Sequence, residues 1–400
     1  LLIINAYEKP EEKWKGIMEH IYMDNGSTSF PKAPGLGKTM GEHIDQYGLN
    51  MGRGGYSPSF HLEQIAVETK EKLTEFFHGP TSRNVIFTSG ATAGLNMIIN
   101  GLLEPGDKVV TTSLEHNAVA RPLYALSQKG VLWEQLPAAA DGSLRMDAVS
   151  DMLSSDTRLL IATHASNVSG NLTPLQLLSD ICKDRQILFV VDAAQTAGSQ
   201  TIDMADLGLD GLVVPGHKGL LGPQGIGAML LSDRLAAQLR PTVFGGTGSR
   251  SDLLEMPDFL PDRFEPGTLN IPGIVGMNHA LDFLMSQGIQ SIRGHKEQLA
   301  KQFLEGLSVI SHVRCAGPDA GSPRESVFSL VFKTVDQGEA AYLLEREHGI
   351  LTRSGLHCAP LAHQALGTFP VGSVRFSFGP FTTKAEVDAC LAAIAKIAKG

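Results

Sequence analysis

From about Val85 to Leu231, short apolar runs rich in β-branched residues alternate with helix-like stretches. Val85 to Phe87 (VIF), the run KVVTTS that ends at Ser113, LLIATHAS (Leu159 to Ser166), Ile187 to Val191 (ILFVV) and LVVPGH (Leu212 to His217) are the clearest of these runs. A strand that is apolar on both faces must be covered on both faces. The pattern therefore predicts an α/β fold with a mainly parallel sheet and helices on either side. After EPGTLNIPG (Glu265 to Gly273) the pattern changes. Val275 to Leu307 reads as a long helix pair, and SVFSLVF (Ser326 to Phe332) and SVRFSFG (Ser373 to Gly379) read as strands of a smaller α+β unit. With 400 residues, 42% of them hydrophobic, the chain is large enough for two domains. The expected division is an extension over 1–21, a large domain over 22–270 and a small C-terminal domain over 271–400, with the N-terminal segment packing on the last.

Open α/β sheets bind ligands beyond the carboxyl ends of their strands, and the polar residues there form an ordered series. Asp192 directly follows ILFVV, and Lys218 follows LVVPGH, with LLGPQGIGAML after it. A carboxylate buried at a strand end needs a cationic partner. An amine in so apolar a stretch is expected to be desolvated, which lowers its pKa and makes it a nucleophile and proton carrier. A carboxylate followed by such a lysine is what pyridoxal phosphate requires: an acid against its ring nitrogen and an amine to hold its aldehyde as a Schiff base. Upstream, SGATAGLN (Ser89 to Asn96) follows VIF. A strand, a turn of small residues and a helix starting near Ala91 would aim free N–H groups and a helix dipole at one point, which suits a phosphate.

Three further polar residues follow strand-like runs. His116, in SLEHNAV, fits a ring stacked on a heteroaromatic group, an acid–base group or a structural histidine. Asn167, in THASNVSGN, and Gln195, in VVDAAQ, fit donors to the cofactor's phenolic oxygen or ordinary turn and cap chemistry.

The motifs YMDNGSTSFPKAP, TSGATAGLN, SLEHNAV, THASNVSGN, VVDAAQTAG, PGHKGLLGPQGIG, EPGTLN and RSGLHCAP, in this order over residues 22 to 395, resemble the class V aminotransferase family of fold type I pyridoxal phosphate enzymes. Within it they resemble the cysteine desulfurase and selenocysteine lyase branch. The resemblance implies a large domain with a mainly parallel seven-stranded sheet and a smaller α+β C-terminal domain. It implies Lys218 as the Schiff-base lysine, Asp192 at the ring nitrogen, and His116 stacked on the ring. Asn167 and Gln195 would bond the phenolic oxygen or the substrate, and Ala91, Thr92 and His217 would reach the phosphate. Thr268 matches a residue that in relatives contacts the phosphate from the other subunit, which implies a homodimer with shared sites. Arg375 matches the arginine that holds the substrate α-carboxylate. One departure is Pro215, where many relatives carry a serine that contacts the phosphate; Thr92 or Thr268 would have to compensate.

Cys358 lies in TRSGLHCAPLAH (Thr352 to His363), with Arg353 five residues before it and His357 adjacent. Positive charge or hydrogen bonds near a thiol favour the nucleophilic thiolate, and Arg353 and His357 are the candidates to supply them; Arg353 is also a candidate for positioning substrate. The resemblance implies that Cys358 takes sulfur from L-cysteine as a persulfide and leaves L-alanine. Selenocysteine lyase activity on L-selenocysteine is the alternative, followed by another activity of this fold. From a different class, a cofactor-binding scaffold for a sulfur-acceptor protein is a further alternative, which the four residues Lys218, Asp192, Arg375 and Cys358 argue against.

A formal net charge of −9, with no basic run, argues against nucleic acid as a main partner. Four scattered cysteines point to a reducing cytoplasm, with Cys182, Cys315 and Cys390 expected to be inert. No histidine pattern predicts a metal site, and no segment approaches the roughly 18 apolar residues of a membrane helix. The opening LLIINAYEKPEEKW lacks the pattern of a signal peptide. FGGTGSRSD (Phe244 to Asp252) is expected to be a loop and not a second phosphate site.

Overall fold

A computed structural model describes residues 20–51 and 57–399; of the expected extension over residues 1–21, residues 1–19 lie outside the described residues. The strands are, in chain order, β1 (Ile21–Tyr22), β2 (Val85–Thr88), β3 (Lys108–Thr112), β4 (Leu132–Leu136), β5 (Thr157–Thr163), β6 (Leu188–Asp192), β7 (Gly211–Pro215), β8 (Gly227–Leu231), β9 (Val313–Ala316), β10 (Val327–Phe332), β11 (Ile350–Leu351), β12 (Arg353–Gly355) and β13 (Ser373–Ser377). Seven of them form one sheet in the order β2-β8-β7-β6-β5-β3-β4. Only β8 runs against the direction of the other six strands, so the sheet is mainly parallel.

Alternation of side chains explains why the central runs are apolar throughout. Leu188 and Val190 of β6 enter the core on one face, while Phe189 and Val191 enter the core on the other; Leu159 and Ile161 of β5 divide from Leu160 and Ala162 in the same way. Successive strand residues point to opposite faces, and each fully buried aliphatic or aromatic side chain contributes roughly 1.5–3 kcal/mol. A charge at one of these positions would unseat the sheet.

The second sheet is antiparallel, in the order β12-β13-β10-β9, and its core is separate, built on Phe303, Phe328, Phe376 and Phe378. The expected helix pair is Ile271–Gln287 and Ile289–Leu307. Gly288 divides them at φ 75°, a conformation that costs a side-chain-bearing residue 1–2 kcal/mol or so.

The described N-terminal segment forms a separate two-stranded sheet and bridges to the end of the second sheet before it crosses to the first. β1 pairs in parallel with β11, and Asp24 bridges to Ser377 at the end of β13. The following turn then reaches the first sheet, where Ser29 N donates to the His217 carbonyl at 3.0 Å and Ala33 N to the Leu221 carbonyl at 3.1 Å. Residues 24 to 33 thus line the junction between the two sheets, beside the carboxyl ends of the parallel strands. Among the described residues no helix is long and apolar enough to cross a membrane.

Candidate active site

A cavity of about 390 Å³ opens at this junction. Ala91, Thr92, His116, Asn167, Asp192, Gln195, His217, Lys218, Arg353, Cys358 and Arg375 all line it. β2 leads into Ala91, β3 into His116, β5 into Asn167 and β7 into Lys218, while Asp192 is the last residue of β6. The second sheet supplies Arg353 and Arg375, and Cys358 follows β12. Thr268 stands apart. It is exposed and lines a different, larger cavity of about 940 Å³ with Lys70, Thr247 and Glu265. FGGTGSRSD carries no helix or strand, and its Gly246 to Gly248 line this second cavity.

Burial sets the charges at the strand ends. Asp192 is 2% exposed and its Oδ1 accepts from Ala194 N at 2.9 Å. Burial raises its pKa, with that hydrogen bond and Lys218 pulling the other way. A carboxylate so placed favours a cation beside it. Burial and the nearby Arg375 push the Lys218 ammonium down to about 8, against Asp192 and Asp24. A free amine is therefore accessible near neutral pH. Ala91 opens the helix Ala91–Leu102 after Gly90, whose φ of 147° only glycine readily adopts. The first-turn N–H groups of Ala91 and Thr92 have no acceptor within their helix, so this end of the cavity suits an anion.

His116 caps the helix Asn117–Ser127, its Nδ1 accepting from Ala118 N at 3.0 Å. Accepting there puts the ring proton on Nε2. Burial, Lys218 and Arg375 push its pKa down to about 4, so the ring is neutral. Asn167 Nδ2 donates to the His357 carbonyl at 2.7 Å, and Gln195 Nε2 donates to the Gly26 carbonyl at 3.0 Å. His217 Nδ1 meets Thr28 Oγ1 at 3.1 Å, and its pKa falls to about 4 through burial and the charges of Lys218 and Lys32.

Arg375 is 2% exposed. Its Nη2 donates to Asp24 Oδ1 at 2.7 Å and to Ser27 Oγ at 2.5 Å, and its Nη1 to the Asn167 carbonyl at 3.2 Å. Its buried Nε finds no partner among the described residues. Arg353 is exposed and donates from Nε to the other Asp24 oxygen at 3.1 Å. The Cys358 thiol is exposed, on a loop where His357 and Cys358 both take left-handed backbone conformations, φ 47° and 56°.

The expectation that His357 lends positive charge to Cys358 is not met. Its ring is buried, Nε2 meets Ser373 Oγ at 3.1 Å, and burial together with Arg375 and His363 pushes its pKa down to about 2. It is neutral and hydrogen-bonded into the second sheet, and Arg353, the other candidate, is paired with Asp24.

Four neighbours of these residues carry little signal in the sequence. Asp24 and Ser27 lie in the motif YMDNGSTSFPKAP but hold no charge pattern of their own. Lys32, in the same motif, donates to Thr28, Ser29 and the His217 carbonyl, the last at 2.6 Å, and burial pushes its pKa down to about 8. It fixes the peptide next to Lys218. Glu115, beside His116, is fully buried, and its placement before a strand-end histidine was the one signal available. Among the other cysteines, Cys182 is buried and burial pushes its thiol up to about 12; burial raises Cys315 and Cys390 as well. The described residues hold no group of three or more His, Cys, Asp or Glu suited to a metal ion.

A family model described as aminotransferase class-V matches residues 21–390. The probable cysteine desulfurase of Methanothermobacter thermautotrophicus is 31% identical over 379 residues, covering 93% of this chain and 93% of its own. That of Halobacterium salinarum is 31% identical over 396 residues, covering 96% and 93%. Among solved structures, the apo cysteine desulfurase from Thermococcus onnurineus NA1 superposes with a TM-score of 0.90 at 29% identity, covering 99% of both chains. With its motifs in family order and their strand-end residues around one cavity, the chain belongs to the class V aminotransferase family.

Proposed function

We propose that this chain is a pyridoxal phosphate-dependent cysteine desulfurase, converting L-cysteine to L-alanine and holding the sulfur as a persulfide on Cys358. The observation that supports this most is the opening of the exposed Cys358 thiol into the same cavity as Lys218, Asp192 and Arg375.

The residues present fit the cofactor. Asp192, buried and short of a cation, matches a protonated ring nitrogen. The Ala91–Thr92 turn supplies N–H groups for a phosphate, and a Cβ at Gly90 would meet nothing within 4 Å, so that end of the cavity is open. Thr92 stands in the same turn and is the donor available in place of the serine that Pro215 lacks. His116, fixed as a neutral ring by its cap, lines the same cavity and would stack on the cofactor ring. When bound, pyridoxal phosphate supplies an electron-accepting ring that labilises the substrate's α-proton.

Arg375 would hold the substrate α-carboxylate. Lys218 Nζ, with a pKa near 8, would accept the α-proton and return it. Cys358 Sγ, deprotonated, would attack the substrate sulfur. A sulfur–sulfur bond forms, the carbon–sulfur bond breaks with its electron pair going to carbon, and that carbon is protonated to give alanine. L-cysteine and one thiol thus become L-alanine and one persulfide, with no outside oxidant. The exposure of Cys358 also suits transfer of the sulfur to an acceptor thiol.

A homodimer would complete the site. Thr268 lies outside the cavity of its own chain, and Phe60, Val67, Val243, Phe244, Leu254 and Phe259 are exposed, an excess of apolar surface that a second subunit would cover.

Cys358→Ala should reduce sulfur release from L-cysteine at least 100-fold (about 2.7 kcal/mol of barrier) while leaving the cofactor's visible absorption intact. Unchanged desulfuration in that variant would remove Cys358 from the mechanism. Alanine release by the wild type separates an enzyme from a scaffold, and rates with L-selenocysteine test the lyase alternative.

A further inference from the structure

Arg353 and Arg375 stand directly opposite each other in the register of β12 and β13. Like charges facing one another across an antiparallel pair are destabilising, and Arg375 is buried, which adds to the cost. Asp24 offsets both. Its Oδ1 accepts from Arg375 at 2.7 Å and its Oδ2 from Arg353 at 3.1 Å. Ser27 Oγ donates to Oδ1 at 2.7 Å, and the backbone bridge to Ser377 fixes the carboxylate beside β13.

We propose that Asp24 determines substrate specificity by cancelling one of the two arginine charges, so that the site accepts an amino acid with one carboxylate and rejects a dicarboxylate. The inference rests on the reading of Arg375 as the α-carboxylate site. Two guanidiniums and one internal carboxylate leave a net charge of +1, which a single carboxylate balances. Arg375 Nε is a buried donor with no partner among the described residues. It lies next to Gly26, where a Cβ would come within 3.3–3.4 Å of the guanidinium. A second carboxylate on the ligand would meet Asp24, and its repulsion is a barrier built against the wrong substrate. Without Asp24, the facing arginines would offer two uncancelled cations to a ligand with two carboxylates.

The test is calorimetric binding of propanoate and succinate to the purified, cofactor-loaded protein, with displacement by L-cysteine. In the wild type, succinate should bind no more than about threefold tighter than propanoate. In Asp24→Asn, the succinate preference should rise roughly tenfold or more, near 1.4 kcal/mol, and adding Arg353→Gln should abolish that gain. A preference that does not change in Asp24→Asn overturns the proposal. Should that variant fail to fold, the wild-type ratio still decides: succinate bound tenfold or more above propanoate would mean that Arg353 is free to take a second carboxylate. Propanoate that L-cysteine does not displace overturns the Arg375 reading itself, and this inference with it.

Discussion

Glu115 follows β3 with its side chain fully buried, and Oε1 accepts from Thr112 Oγ1 at 2.6 Å and from Thr163 N at 2.8 Å. Oε2 finds no partner among the described residues. Burial pushes the carboxyl up to about 8, against its hydrogen bonds to Thr112 and Thr163 and with Asp192 adding to the rise. Between pH 4.5 and 8 the folded chain therefore holds a proton that the unfolded chain has lost, and stability falls as pH rises through that window, by at most about 1.4 kcal/mol per pH unit. Glu115→Gln keeps the shape and removes the titration. Thermal melts of the wild type should fall between pH 5 and 8 relative to those of Glu115→Gln, which should be the more stable at pH 8. Superimposable pH curves would show that Glu115 ionises normally. Because Asp192 is the neighbouring charge, a neutral Glu115 also makes it easier for Asp192 to remain ionised.

The loop between β12 and the helix Pro360–Ala365 holds two successive left-handed residues, His357 and Cys358, each costing of order 1–3 kcal/mol. Two bonds from the first sheet's side hold it: Asn167 Nδ2 to the His357 carbonyl, and Asn117 N to the Cys358 carbonyl at 2.8 Å. Asn167→Ala should cost about 1 kcal/mol of stability and slow persulfide formation on Cys358 roughly tenfold, read by mass spectrometry in single turnover, with the cofactor's absorption unchanged. A shift in that absorption would assign Asn167 to the cofactor instead. The sequence reveals residues of one kind well and those of the other poorly. Lys218, Asp192, His116 and Asn167 are legible because each ends or follows an apolar strand, and a parallel sheet brings such ends together. The bond from Asn167 to the His357 carbonyl joins residues 190 positions apart. The His357 ring turns into the second sheet because Ser373 offers it a partner, and periodicity carries no sign of either.

Across the molecule, the parallel sheet and the helix pair follow from apolar patterning, but the seam between the sheets does not, because it is made of charges that in isolation read as solvated surface. Glu325 is 2% exposed and pairs with Lys296 of the helix Ile289–Leu307. It also accepts from Ser199 Oγ at 2.9 Å and Gln200 Nε2 at 3.2 Å, which follow β6. Beside it Arg324 donates to the Ser169 carbonyl at 2.8 Å. Asp24, from near the start of the described chain, and Ser377, near its end, close the other side. Burial opposes the Glu325 charge, but Lys296 and the hydrogen bonds outweigh it and hold the pKa below 4.5. The unfolded chain thus binds the proton first, so the pair's contribution is fully present above pH 4.5 and lost as pH falls through the folded pKa. Glu325→Gln leaves Lys296 buried without its anion and should cost about 3–5 kcal/mol at pH 7. Urea melts should show that deficit shrinking as pH falls through the folded pKa, where the wild type loses the same interaction. Replacing both partners, as in Lys296→Met with Glu325→Leu, should restore most of the loss, because no charge is then stranded. A single variant as stable as the wild type at pH 7 would show that the seam is held by its apolar contacts and not by this pair.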